Sequence, residues 1–126
     1  MIAESESAGW VVPEELRLLV QCGDEEVVGE FVTLFRSDTT SRLQRVVHAL
    51  AAGDIAQVRA QAHAIKGSAI QVGAGEVAEL SRQLELETAA KSPAEIRETL
   101  DRLQATFERV CGAMESCCGL QSQPNG

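Results

Sequence analysis

The apolar residues of this chain recur at helical steps. Ile55, Val58, Ala62, Ile65, Ala69 and Val72 follow one another at steps of 3, 4, 3, 4 and 3, which is one face of an α-helix. Ile96, Leu100, Leu103, Phe107, Val110 and Met114 repeat the pattern at steps of 4, 3, 4, 3 and 4. Val28, Phe31, Phe35, Leu43, Val46 and Leu50 recur near the same spacing, and Val77, Leu80 and Leu84 form a shorter stretch. No run alternates apolar and polar residues for long enough to argue for a strand. Four amphipathic helices with short connections satisfy one another most simply as an all-α antiparallel up-and-down four-helix bundle. Composition agrees, since aromatic residues are 3% of the chain and Tyr is absent, against the aromatic and β-branched enrichment of sheets.

The ends of the helices are also legible. Asp24 is placed to cap the first long helix, which the pattern carries as far as Ala51-Ala52-Gly53. Its middle, Ser37-Asp38-Thr39-Thr40-Ser41, has weak helix propensity and marks a candidate kink, with Thr39 in a slot where the stripe expects an apolar residue. Asp54 caps the second helix, Gly73-Ala74-Gly75 turns the chain, and Ser92-Pro93-Ala94-Glu95 opens the last helix as a capping box with proline at its first position. Before these, Pro13-Glu14-Glu15 starts an additional short N-terminal helix whose apolar side, Leu16, Leu19 and Val20, predicts a lid on the core. The length of 126 residues predicts one domain over residues 11–118, with flexible ends at 1–10 and 119–126 and no internal repeat.

A net charge of -8 repels phosphate backbones and anionic membrane surfaces, which argues against a nucleic-acid or membrane partner. No stretch approaches the roughly 20 apolar residues that span a bilayer, and Met1-Ile2-Ala3-Glu4-Ser5-Glu6 has neither the basic nor the apolar region of a signal peptide. A cytoplasmic location is expected. Cys22, Cys111, Cys117 and Cys118 are then reduced thiols. Cys111, Cys117 and Cys118 lack a fourth ligand and a usual metal spacing, so no metal site is expected.

The chemistry centres on one of two histidines. At about 100° per residue, His63 falls about 130° from the core direction of its helix and points to solvent. Ala56, Arg59, Ala60, Gly67, Ile70 and Gln71 share that outer surface, and Lys66 lies one turn from His63 toward its edge. Gly67 costs about 1 kcal/mol relative to Ala inside a helix, and no core packing requires its small size at an exposed position. Ile70 is apolar where a solvated face would carry charge. Together they describe a shallow, partly apolar platform around one imidazole. An imidazole of ordinary pKa, about 6.5, is substantially neutral and nucleophilic near pH 7. Lys66 would supply a point charge to a phosphoryl group on His63, and Gly67 would leave its in-line approach open. On residue types alone, a surface His beside a Lys is a solvated pair far more often than a site.

The segment His63-Ala64-Ile65-Lys66-Gly67-Ser68-Ala69-Ile70-Gln71-Val72-Gly73-Ala74 resembles the signature of the histidine-containing phosphotransfer (Hpt) domain: His, any residue, apolar, Lys, Gly, two small residues, three further residues, Gly, then Ala or Leu. The resemblance extends from about Pro13 to Cys117, and the family fold it implies is likewise a four-helix bundle with extra helical turns before it. It implies a histidine phosphocarrier in a two-component phosphorelay. His63 accepts a phosphoryl group from a receiver-domain aspartate and passes it to another receiver. The partners implied are response-regulator receiver domains, a hybrid sensor histidine kinase, or both. No kinase activity of its own is implied. The chain has no Gly-rich phosphate loop and no nucleotide-binding βαβ pattern, so it is expected to bind no cofactor, with Mg²⁺ supplied by the partner receiver.

His63 lies ten residues before Gly73 and Glu85 twelve after it, so at about 1.5 Å per residue they reach similar heights on adjacent antiparallel helices. In some members of the family a carboxylate on the neighbouring helix accepts the Nδ1 hydrogen of the active histidine, and Glu85 is placed to do the same. Arg82, one turn earlier, is placed to add charge near the phosphoryl group. Ala56, Arg59, Ile70 and Gln71 are the expected docking surface around His63. His48 has no Lys-Gly partner set and reads as an ordinary surface residue. A monomer is expected because the four helices cover one another's apolar faces. Two readings of other classes remain: a non-phosphorylated helical adaptor or scaffold, and a thiol- or metal-dependent enzyme using Cys117-Cys118.

Overall fold

The computed structural model describes Glu14, Leu18 and residues 25–117. It contains four helices, α1 (Glu25–Ala52), α2 (Ile55–Val72), α3 (Gly75–Glu87) and α4 (Pro93–Cys117), and no strand among the described residues. Of the expected short N-terminal helix, Glu14 and Leu18 are helical and exposed, while its apolar side of Leu16, Leu19 and Val20 lies outside the described residues, as do the Asp24 cap, Cys22, Cys118 and both terminal tails.

Local chemistry sets the turns. Gly53 and Gly73 adopt left-handed conformations with φ of 73° and 80°, which glycine reaches without a Cβ penalty. After α1, the Gly53 amide donates to Leu50 O and the Asp54 amide to Ala49 O; after α2, Gly73 donates to Ile70 O and Ala74 to Ala69 O. Both are Schellman closures that satisfy the last helical carbonyls. Asp54 then begins α2 by accepting from the Gln57 amide at 3.2 Å. At α4, the Ser92 amide donates to Glu95 Oε1 at 3.0 Å and the Glu95 amide donates to Ser92 Oγ at 3.3 Å, which completes the capping box. The Ser92 amide, and the Ser92 hydroxyl that donates to the same oxygen at 3.2 Å, draw the exposed Glu95 carboxyl below its usual range.

With connections this short, consecutive helices run antiparallel. Each packs on its sequence neighbours, and α4 returns to α1, so the four helices close a ring whose diagonal pairs do not approach closely at the backbone. Val28, Val46, Val58, Ile65, Leu84, Leu103 and Phe107 fill its centre. Phe35 and Phe107 meet edge to face with centroids 5.7 Å apart. Arg36 joins α1 to α4 through Glu115, at 2.7 Å, and Glu108, at 3.3 Å. The same cluster borders Cys111, a fully buried thiol pushed up to about 12 by burial.

Three residues of the expected stripes fall outside the buried core: Leu50 is half-buried beside buried Ala49, and two are more open. Phe31 is 36% exposed while its neighbour Val32 is buried, and Ile55, the first residue of α2, is also 36% exposed. The weak Ser37–Ser41 stretch stays within one continuous α-helix. Thr39 does occupy an apolar slot: it is fully buried, and its Oγ1 has no hydrogen-bond partner among the described residues.

Candidate functional site

The outer surface of α2 is fixed by its buried stripe. Val58, Ala62, Ile65, Ala69 and Val72 point into the bundle, so residues on the opposite side of the helix must face out. Ala56, Arg59, Ala60, His63, Gly67, Ile70 and Gln71 are all exposed. Ile70 is 63% exposed, an apolar side chain left open on a helix whose other large apolar residues beyond its first turn are buried. A β-carbon added to Gly67 would meet no atom within 4 Å. Nothing inside the protein therefore requires glycine there. Arg59, one turn before His63, has no ion-pair partner among the described residues.

The hairpin of α2 and α3 brings the two sequence-predicted partners together. Nδ1 of His63 lies 3.1 Å from Oε2 of Glu85. A carboxylate accepts only, so this bond assigns the proton of a neutral ring to Nδ1 and leaves the Nε2 lone pair free. The other oxygen, Oε1, lies 3.4 Å from Nζ of Lys66. Glu85 thus bridges the histidine and the lysine, a contact that the sequence reading did not anticipate. The imidazole is 66% exposed, against 26% for the Lys66 side chain and 23% for Glu85. The ion pair lies in the seam between the helices and the imidazole stands above it.

Arg82 is engaged elsewhere. Its Nε and terminal amino group donate to the two carboxylate oxygens of Glu79 at 3.1 and 2.7 Å, on the exposed face of α3. The charge expected near His63 is therefore held in a local pair one turn away, which keeps the Glu79 carboxyl below its usual range. His48 is exposed near the end of α1, remote in sequence from this cluster. Leu86 is 60% exposed one residue beyond Glu85; its position outside the Val77, Leu80 and Leu84 stripe was the available sign that it faces out.

Among the described residues, no group of three His, Cys, Asp or Glu side chains is arranged to hold a metal ion, and no helix is long and apolar enough to cross a membrane. The arrangement offers one exposed nucleophilic nitrogen, a carboxylate beneath it, an ammonium within one turn and an open approach over Gly67. Comparison with protein families matches residues 30–110 to the model described as the Hpt domain. No curated protein and no solved structure matches the chain.

Proposed function

The chain belongs to the Hpt domain family, and from that premise we propose that it is a phosphocarrier with His63 as its phosphoryl acceptor. The family works by histidine phosphotransfer within phosphorelays, as carriers rather than as kinases. The observation that carries the assignment of His63 is its exposed imidazole with Nδ1 turned onto Glu85. Of the two histidines in the chain, His63 also stands in the Lys66-Gly67 signature.

In the proposed reaction, the Nε2 lone pair attacks phosphorus of an aspartyl phosphate on a docked receiver domain. The bond from phosphorus to the aspartate oxygen breaks and its electron pair returns to the carboxylate. Nδ1 keeps its proton, so the phosphorylated ring carries a positive charge facing Glu85. Lys66 supplies positive charge to the phosphoryl oxygens, and Gly67 leaves room for the receiver. Further neutralisation of the phosphoryl oxygens would come from Mg²⁺ held by the receiver's own residues. The reverse sequence delivers the group to a second receiver. Ala56, Arg59, Ile70 and Gln71 form the docking surface around His63, with Arg82 at its margin. Arg59, without an ion-pair partner among the described residues, suits an acidic rim on the partner, and exposed Ile70 suits an apolar centre. The cytoplasm, where receivers work, is the proposed location.

The test is to mix the protein with a panel of phosphorylated receiver domains and assay for acid-labile, base-stable phosphate on the protein. Wild type and His48→Gln become labelled and His63→Gln does not. Loss of label in His48→Gln with retention in His63→Gln overturns the assignment. A folded wild type that no receiver labels shifts the reading to a helical adaptor.

A further inference from the structure

α1 carries one apolar stripe more than the bundle uses. Val28, Val32 and Phe35 face the core, while Val27, Phe31 and Leu34 repeat the same steps of 4 and 3 one residue earlier and are 50%, 36% and 68% exposed. One residue is about 100° around a helix, so the second stripe is a separate face. Asp38 and Arg42 continue it at further steps of 4, and Arg42 donates to Gln61 of α2 at 3.0 Å. The stripe therefore runs along the side of α1 that meets α2 lower down. α1 has 28 residues and α2 has 18, so at about 1.5 Å per residue α2 leaves roughly 15 Å of α1 without a neighbour on that side. Val27, Phe31 and Leu34 stand in this overhang, past the closure at Gly73. Exposed Glu26 and Glu30 border them and have no ion-pair partner among the described residues. Arg36, the first basic residue of α1, is held toward α4 by Glu115 and Glu108. The rim of the stripe is thus acidic only. A second copy of the chain seated here would set that acidic edge against its own, on top of a net charge of -8. A helix with apolar residues at the same steps and lysine or arginine along its flanks complements both the stripe and the rim.

We propose that the overhanging face of Val27, Phe31 and Leu34 is a docking site for a basic amphipathic helix of a partner protein, laid along α1 on the line of α2. His63 lies nine residues before the end of α2, about 14 Å along the axis, so this site is separate from the surface around His63 and is open to a partner while His63 remains uncovered. Attachment there is independent of the carrier reading: it tethers the domain to a further protein whatever His63 does.

The experiment titrates the ¹⁵N-labelled full chain with a synthetic leucine–lysine peptide of about 14 residues, enough to run the length of the overhang as a helix, with its leucines at steps of 3 and 4. A second peptide holds the same residues in an order that gives no apolar helix face. With the first peptide, amide shift changes are expected to concentrate in residues 26–35 and to leave His63 and its neighbours in place; the second binds about tenfold more weakly or not at all. Leu34→Gln, at the most exposed of the three positions, weakens binding about tenfold, the effect of losing one large apolar contact, and Glu30→Gln weakens it about two- to fivefold. Leu86→Gln removes a leucine of similar exposure from α3 and leaves binding unchanged, with the thermal melt of each variant checking its fold. Shift changes spread over the surface, equal binding of the two peptides, or equal losses in Leu86→Gln and Leu34→Gln reduce the effect to attraction by net charge and overturn the proposal. Self-association in sedimentation that Leu34→Gln abolishes overturns it in favour of a second copy, and nuclear Overhauser contacts between Leu34 and residues 11–20 in the free protein overturn it in favour of the chain's own N-terminal segment.

Discussion

Gly67→Ala separates what the bundle needs from what a partner needs. Gly67 lies in the interior of α2 with ordinary helical backbone, since the positive-φ glycines among the described residues are Gly53 and Gly73. A β-carbon there meets nothing within 4 Å, so the substitution brings no clash and removes the backbone entropy that glycine loses on folding, a gain of about 1 kcal/mol. For a domain of this size that raises the melting temperature by a few degrees. Gly112, exposed in α4 and equally open, supplies the matched control. Gly112→Ala brings a similar stability gain and leaves phosphotransfer unchanged. Gly67→Ala places a methyl group one turn from His63, on the side from which a receiver comes in the proposed transfer, and a misfit of about 1 Å in a transfer geometry costs on the order of 100-fold in rate. The assays are a denaturant or thermal melt and the initial rate of phosphoryl transfer from a receiver. A Gly67→Ala protein that gains stability and still transfers at the wild-type rate refutes the steric-access argument. One that loses stability refutes the inference that the space over Gly67 is open.

Two further perturbations probe the core. The Cys111 thiol, pushed from 9.0 to about 12 by burial, is expected to resist alkylation in the native state at pH 8 and to react on unfolding, because the thiolate is the reactive form. A folded-state value above the unfolded one is stabilising below pH 9 and is lost as pH rises toward 12, so the advantage of wild type over Cys111→Ala should shrink across that interval; native alkylation mapped to Cys111 by mass spectrometry would contradict this. Thr39→Val replaces a buried hydroxyl that has no partner among the described residues by an isosteric methyl group, and should raise the denaturation midpoint by the equivalent of about 1 kcal/mol. A lower midpoint would mean that the hydroxyl is satisfied.

Much of the architecture is legible because the determinants are local. The 3-4 stripes of α2 and α4, the glycines of the two closures and the Ser92–Glu95 box each specify their element without knowledge of the rest. The N-terminal half of α1 is harder. Val27, Val28, Phe31, Val32, Leu34 and Phe35 supply apolar residues on two faces, and burial of Val28, Val32 and Phe35 rather than Phe31 is decided by where α2 and α4 lie. Helical periodicity fixes the spacing of a stripe but, where two compete, not its phase. Thr39 shows the converse: position predicts burial even where residue type does not.

The site divides along the same line. Its outward residues follow from the angular position of His63 on a helix whose core face is unambiguous, so Gly67, Ile70 and Arg59 are found from one segment of sequence. Its inner pair depends on a second helix. The turn of Gly73 and Ala74 ties the height of each α3 residue to one on α2, because a two-residue connection closed by backbone hydrogen bonds leaves no slack; height arithmetic therefore brings Glu85 level with His63. Height does not give direction around the axis. The side of α3 that faces α2 is set by which residues the bundle buries, and only there does the Glu85 carboxylate meet Lys66 as well as His63, while Arg82, one turn earlier, remains with Glu79. A sequence motif on one helix thus marks out His63, whereas the side chains that contact it are selected by the packing of the hairpin. Changes to that packing should alter the site before they alter the motif.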